Sequence, residues 1–157
     1  MTRLSYAIVT TVAVSLLGIA SVASFAPKLI WNASASTPVG FYTIEEPGPV
    51  AVTDLVAVDA PEPLATFLSD GGYLPRGVPL LKRVAALPGQ RVCRSGLAIT
   101  VDGVPMGEAL DRDRRGRPLP IWQGCRLAAN GELFLMNWQV RDSLDGRYFG
   151  PLPATAV

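Results

Sequence analysis

Between Arg3 and Lys28 the chain runs for 24 residues, 4–27, without a charged side chain, and Ala, Val, Leu and Ile dominate the stretch. As a helix rising ~1.5 Å per residue, this run is roughly 36 Å long and exceeds a hydrocarbon core of about 30 Å. A transmembrane anchor over 4–27 is therefore expected. The small residues Ala20-Ser21-Val22-Ala23 leave open a cleavable secretory signal, but the run is longer than the roughly 7 to 15 residues of a signal core. Either way the remainder, 29–157, is carried across a membrane. Charge says little about orientation, with Arg3 and the amino terminus on one side and Lys28 on the other.

Beyond the apolar run the chain has room for one modest globular domain. The sequence is 49% hydrophobic and 17% charged with a net charge of +1, which argues against a disordered chain and against a strongly basic nucleic-acid binder. Fourteen prolines and fifteen glycines make almost a fifth of its 157 residues. That density of turn formers predicts a mostly β domain of short strands. Strands are expected over 50–60, 78–86 and 132–136, with a hairpin meander over 90–105 turning at Ser95-Gly96 and Asp102-Gly103. One short helix, 61–68, should stop at Gly71-Gly72. Residues 111–117 (DRDRRGR) read as a charge-dense surface turn or, less simply, a basic docking site.

The chain contains no histidine. Every Ser-His-Asp or Cys-His catalytic arrangement is thereby excluded. Two cysteines, Cys93 and Cys125, cannot alone assemble a four-ligand metal site, and in an exported domain they read as a disulfide. No metal or cofactor is expected. A hydrolase built on this sequence needs another base, and lysine is scarce: only Lys28 and Lys82 occur against twelve arginines. Lys82 lies in the strand Leu80-Leu81-Lys82-Arg83-Val84-Ala85-Ala86, whose alternation turns either Lys82 or Arg83 toward the apolar side. A buried lysine loses its charge preference and becomes a usable base. Its natural partner is serine, whose hydroxyl needs deprotonation to attack. Ser34 and Ser36, two apart, would share one side of an extended segment. Ser143 lies in Asp142-Ser143-Leu144-Asp145-Gly146-Arg147-Tyr148-Phe149-Gly150.

An apolar segment, then Ser36-Thr37-Pro38-Val39-Gly40-Phe41-Tyr42, then Lys82-Arg83-Val84 before Pro88-Gly89, then Ser143-x-Asp145-x-Arg147-Tyr148-x-Gly150: this order resembles the type I signal peptidase family. The direct step from Thr37 to Pro38 is most similar to its conjugative-transfer, TraF-type branch. The resemblance implies a single signal-peptidase-like antiparallel β domain behind one transmembrane helix, in the bacterial inner membrane with the catalytic domain on the periplasmic side. It implies a serine endopeptidase with Ser36 as nucleophile and Lys82 as general base. Ser143 would hold the lysine amine, Asp145 and Arg147 would brace that loop, and Ser34 would donate to the oxyanion beside the Ser36 N–H. The expected substrate is a membrane-borne or exported precursor, foremost a conjugative pilin, with other conjugation or type IV secretion components and the lipid bilayer as neighbours and no nucleic acid. The chain departs from the family pattern at Ala86, Gln90 and Asn137-Trp138-Gln139. A general leader peptidase and a non-catalytic channel subunit remain the competing readings.

Overall fold

The computed structural model describes residues 2–22, 28–46 and 48–157. Helix α1, Arg3–Val22, is followed by a hairpin of β1, Leu29–Asn32, and β2, Gly40–Thr43, paired Trp31 to Phe41 in a two-stranded sheet. Among the described residues no helix is long and apolar enough to cross a membrane. Of the expected anchor over 4–27, α1 accounts for residues 4–22, and 23–27 lie outside the described residues.

The domain proper is built from two four-stranded antiparallel sheets. The first runs in the order β10, Leu152–Pro153; β9, Glu132–Leu135; β4, Leu80–Ala86; β3, Leu55–Val58. The second runs β7, Val104–Glu108; β6, Ala98–Val101; β5, Arg91–Ser95; β8, Gly124–Leu127. The expectation of a mostly β fold holds. Strand β4 is the spine of the first sheet, buried on both faces along most of its length. Val84 packs with Val56, Val58, Leu133 and Leu135 in one core, and Ala85 and Ala86 pack with Val92, Ile99, Phe134 and Met136 in another.

Local chemistry fixes the boundaries. The strand expected over 50–60 shortens to β3, because Thr53 adopts φ +81° and the Asp54 carboxylate accepts the Ala51 N–H at 2.8 Å, making a turn of the preceding residues. Helix α2, Glu62–Asp70, begins at a proline-rich entry that has no use for an extra N–H and buries Leu64 and Leu68, one turn apart. It ends at Gly71-Gly72 as expected. Asp102 and Gly103 both have positive φ, the requirement of a tight two-residue hairpin turn. Cys93 and Cys125 are directly opposed across β5 and β8 and are bonded, S–S 2.05 Å. A short helix α3, Gly146–Phe149, is capped by the Asp145 side chain and was not evident from the sequence pattern.

Candidate active site

Lys82 stands in the middle of β4, opposite Val56 of β3 and two residues from Val84, so its stem lies among apolar neighbours. It is 4% exposed, and burial, the largest influence, pulls its pKa from 10.5 to about 8. The Asp145 charge opposes that shift and the Arg147 charge adds to it. Arg83, the alternative inward residue, instead reaches the Thr53 carbonyl at 2.8 Å on an exposed side. The Lys82 Nζ donates to Ser143 Oγ at 2.9 Å, and Ser143 is itself buried.

Behind Ser143 the chain is held by a buried fork. Arg147 donates from Nε to Asp145 Oδ1 at 2.9 Å and from Nη2 to Asp145 Oδ2 at 2.8 Å, with both side chains almost fully enclosed. Burial works against the Arg147 charge, but the hydrogen bonds and charge of Asp145 raise its pKa overall. The same guanidinium donates to the carbonyls of Val140, at 2.6 Å, and Arg141, at 2.9 Å, so the loop that carries Ser143 is tied at both ends. Such planar, two-point geometry is why arginine rather than lysine serves here.

Ser34 and Ser36 do come together, their hydroxyl oxygens 3.0 Å apart, but not in the way an extended strand would bring them. Residues 34–37 form a turn between β1 and β2. Asn32 organises it: Nδ2 donates to the carbonyls of Ser34 and Thr37, each at 2.9 Å, and Oδ1 accepts the Ser34 N–H and hydroxyl. Because the Ser34 hydroxyl proton goes to Asn32, the hydrogen between the two serines belongs to Ser36. The Ser36 proton thus points at Ser34 in this state. Ser34, Ser36, Lys82 and Ser143 all line one cavity of about 380 Å³.

One residue with no role assigned from sequence joins these parts. Asn137 is buried just past the end of β9, where its side chain carries on the ladder that β9 no longer supplies. Its Oδ1 accepts the Arg83 N–H at 3.0 Å, and its Nδ2 donates to the Leu81 carbonyl at 3.1 Å, the two backbone groups that flank Lys82. The same Nδ2 donates to the Ser36 carbonyl at 2.7 Å, while the Asn137 N–H goes to Asp145 Oδ2 at 3.0 Å. Arg94 is a second such residue. It is 1% exposed and donates from Nη1 to the Arg147 carbonyl at 2.6 Å, bracing the loop from β5. Among the described residues no group of histidine, cysteine and carboxylate side chains could hold a metal ion.

Comparison with known proteins identifies the family. The family model described as "Signal peptidase, peptidase S26" matches residues 1–157. A probable conjugal transfer protein TraF of Sinorhizobium fredii is 36% identical over 136 residues, covering 80% of this chain and 71% of its own. A conjugal transfer protein TraF of Agrobacterium tumefaciens is 38% identical over 137 residues, 80% and 76% of the two chains. A plasmid transfer protein TraF of Escherichia coli is 33% identical over 134 residues, 82% and 71%. Among solved structures, a signal peptidase I of Enterococcus faecalis superposes with a TM-score of 0.40 at 18% identity, covering 73% of this chain and 96% of the other. A family match along the whole chain, with TraF relatives that are each matched over most of their length, makes this chain a member of the S26 signal peptidases on the TraF side of that family.

Proposed function

We propose that the chain is a membrane-anchored serine endopeptidase that cuts an exported precursor, foremost a conjugative pilin, using Ser36 and Lys82. The observation that carries this reading is the Lys82 amine: buried, its pKa lowered to about 8, held by Ser143, and lining the same cavity as Ser36. At neutral pH about one such lysine in ten is uncharged, and that form accepts the Ser36 proton as Oγ attacks the scissile carbonyl carbon. The carbon–nitrogen bond then breaks, the proton on Nζ passes to the leaving amine, and an acyl-enzyme remains. Lys82 next deprotonates the resolving nucleophile, either water or the amino terminus of the substrate itself, which would give a cyclic product. In this reading the Ser34 hydroxyl, once turned away from Asn32, and the Ser36 N–H are the donors for the oxyanion.

An anchor over 4–27, holding the domain at the periplasmic face of the inner membrane, is part of the same proposal. The apolar side chains described along α1 are exposed, and Leu29, Trp31 and Phe41 on the following hairpin are 57%, 57% and 70% exposed. An aromatic pair on such a hairpin suits the interface between lipid and water. Conjugation enters through the relatives' names. The test is co-expression with the pilin precursor of a conjugative system and intact-mass measurement of the product. Loss of a peptide that is abolished by Ser36→Ala and by Lys82→Ala supports the reading, and a further loss of one water marks cyclisation. Pilus formation that survives both substitutions assigns the chain to a non-catalytic channel role, and cleavage of many unrelated preproteins assigns it to general leader processing.

A further inference from the structure

The charge-dense loop 111–117 is not a free surface turn. Asp113 anchors it: its carboxylate accepts the Tyr73 hydroxyl at 2.6 Å, Arg117 Nε at 2.7 Å and the N–H groups of Arg115 and Arg117 at 2.8 Å. These contacts, the Tyr73 bond foremost, hold the Asp113 carboxyl well below the usual carboxylate range. Arg117 also donates to the Gly71 carbonyl at 2.7 Å and lies over the Tyr73 ring, which fastens the loop to the end of α2. The charge of Arg117 is therefore already matched within the loop. Of the three remaining arginines, Arg112 donates within the loop to the Gly116 carbonyl at 2.7 Å, which leaves Arg114 and Arg115. Arg114 is 81% exposed and pairs with Asp142, the residue before Ser143. Arg115 has no side-chain hydrogen bond or ion pair among the described residues. Both arginines line the cavity that holds Ser36 and Lys82.

We propose that Arg114 and Arg115 form a carboxylate-reading subsite of this cleft, taking an acidic side chain or the terminal carboxylate of the peptide being cut. The inference rests on the peptidase function proposed for Ser36 and Lys82. The two carboxylates that line the cavity, Asp113 and Asp142, are both engaged, so an arriving carboxylate finds Arg115 free and competes with Asp142 for Arg114. Guanidinium groups offer such a group two parallel N–H donors. Lipid phosphate is the lesser candidate, because the exposed aromatic pair Trp31 and Phe41 is not among the residues that line the cavity with these arginines.

The test uses the full chain in neutral phosphatidylcholine vesicles with fluorogenic alanine peptides. Glu, Gln or Lys is placed in turn at each position within four residues of the cut, and each peptide is made as the free acid and as the amide. The expected result is a kcat/KM about five-fold higher for Glu than for Gln at one position, or for acid over amide, on the scale of one exposed ion pair. In Arg115→Glu the ratio should invert in favour of Lys, with an unchanged melting temperature showing that the loop stays anchored by Asp113. Equal rates for Glu, Gln and Lys, with acid and amide alike, overturn the subsite while leaving the peptidase intact. Rates that follow added anionic lipid rather than peptide charge overturn it in favour of a membrane contact. Failure to cut any peptide, with an intact fold, overturns the peptidase reading and the subsite with it.

Discussion

Replacing Lys82 by Met is the substitution that separates what this residue does for the fold from what it does for chemistry. The two side chains have similar length, but Met carries no charge into the core. In the folded chain the lysine pKa is about 8 against 10.5 for a solvated lysine. A difference of about 2.5 units at 1.36 kcal/mol each means that the protonated side chain costs the fold about 3 kcal/mol. Because the folded pKa is depressed, the unfolded chain binds the proton more tightly between pH 8 and 10.5, and stability should rise with pH through that window. Below pH 8 the full cost is present; above 10.5 it is gone. Lys82→Met should therefore be the more stable protein at pH 7, by up to about 3 kcal/mol less about 1 kcal/mol for the lost bond to Ser143, and the advantage should shrink toward pH 10.5. Activity should be abolished in the variant, while in the wild type log kcat/KM climbs with unit slope and levels near pH 8. Urea denaturation from pH 6 to 10.5, read by tryptophan fluorescence, measures the first effect. Parallel stability curves for the two proteins, or a wild-type rate that does not change across pH 7 to 9, would refute the reasoning.

Asn137→Asp removes the amide that donates to the Ser36 and Leu81 carbonyls while keeping the acceptor for the Arg83 N–H. It should lower kcat at least ten-fold with a much smaller change in KM; equal effects on both would mark it as a binding residue instead. Gly146→Ala places a methyl 2.5 Å from the Phe134 ring and 2.8 Å from the Leu135 carbonyl, and an overpacked core of this kind should lose about 1–3 kcal/mol in denaturant unfolding. Reduction of the Cys93–Cys125 bond, which closes a separation of 32 residues, should cost about 3–4 kcal/mol by the chain-entropy account, seen as a lowered urea midpoint in dithiothreitol that Cys93→Ala/Cys125→Ala reproduces without it.

How far the sequence reveals this site depends on how many chain segments each feature needs. The apolar alternation around Lys82 belongs to one strand, and β4 is found where the pattern places it. Asp102-Gly103 and Gly71-Gly72 carry their turns in their own backbone preferences. Ser34 and Ser36 meet as expected, yet through a turn arranged by Asn32, whose three carbonyl partners only a folded loop can supply. Asn137 is the opposite case. Its partners lie 101, 56 and 54 residues away, so a lone Asn before Trp138 carries no local signal and reads as a mere departure from a motif. Strand β8 is exposed at all four positions, which erases the alternation that would announce it. Arg94, alternating inward on β5, looks from sequence like any surface arginine until the Arg147 carbonyl arrives.

The two members of the buried Asp145–Arg147 pair act on the basicity of Lys82 in opposite senses. Asp145 favours the ammonium form, Arg147 disfavours it, and burial outweighs both. Since the fork joins the two charges at 2.8–2.9 Å, their fields at Lys82 largely cancel and the low-dielectric surroundings decide. Breaking the pair therefore changes the sign of the residual field according to which partner goes. Asp145→Asn leaves Arg147 facing Lys82 and should move the acidic limb of the pH–rate profile below pH 8. Arg147→Gln leaves the carboxylate as a counterion for the lysine and should move the limb above pH 8, so that activity at neutral pH falls further. Each variant also strands a buried charge, which typically destabilises by about 3–5 kcal/mol, so loss of rate alone would not discriminate. The position of the limb does, because a merely structural brace would lower the plateau and leave the midpoint where it was. Opposite displacements for the two variants support an electrostatic role for the pair, whereas a common midpoint would leave it as scaffolding for Ser143 alone.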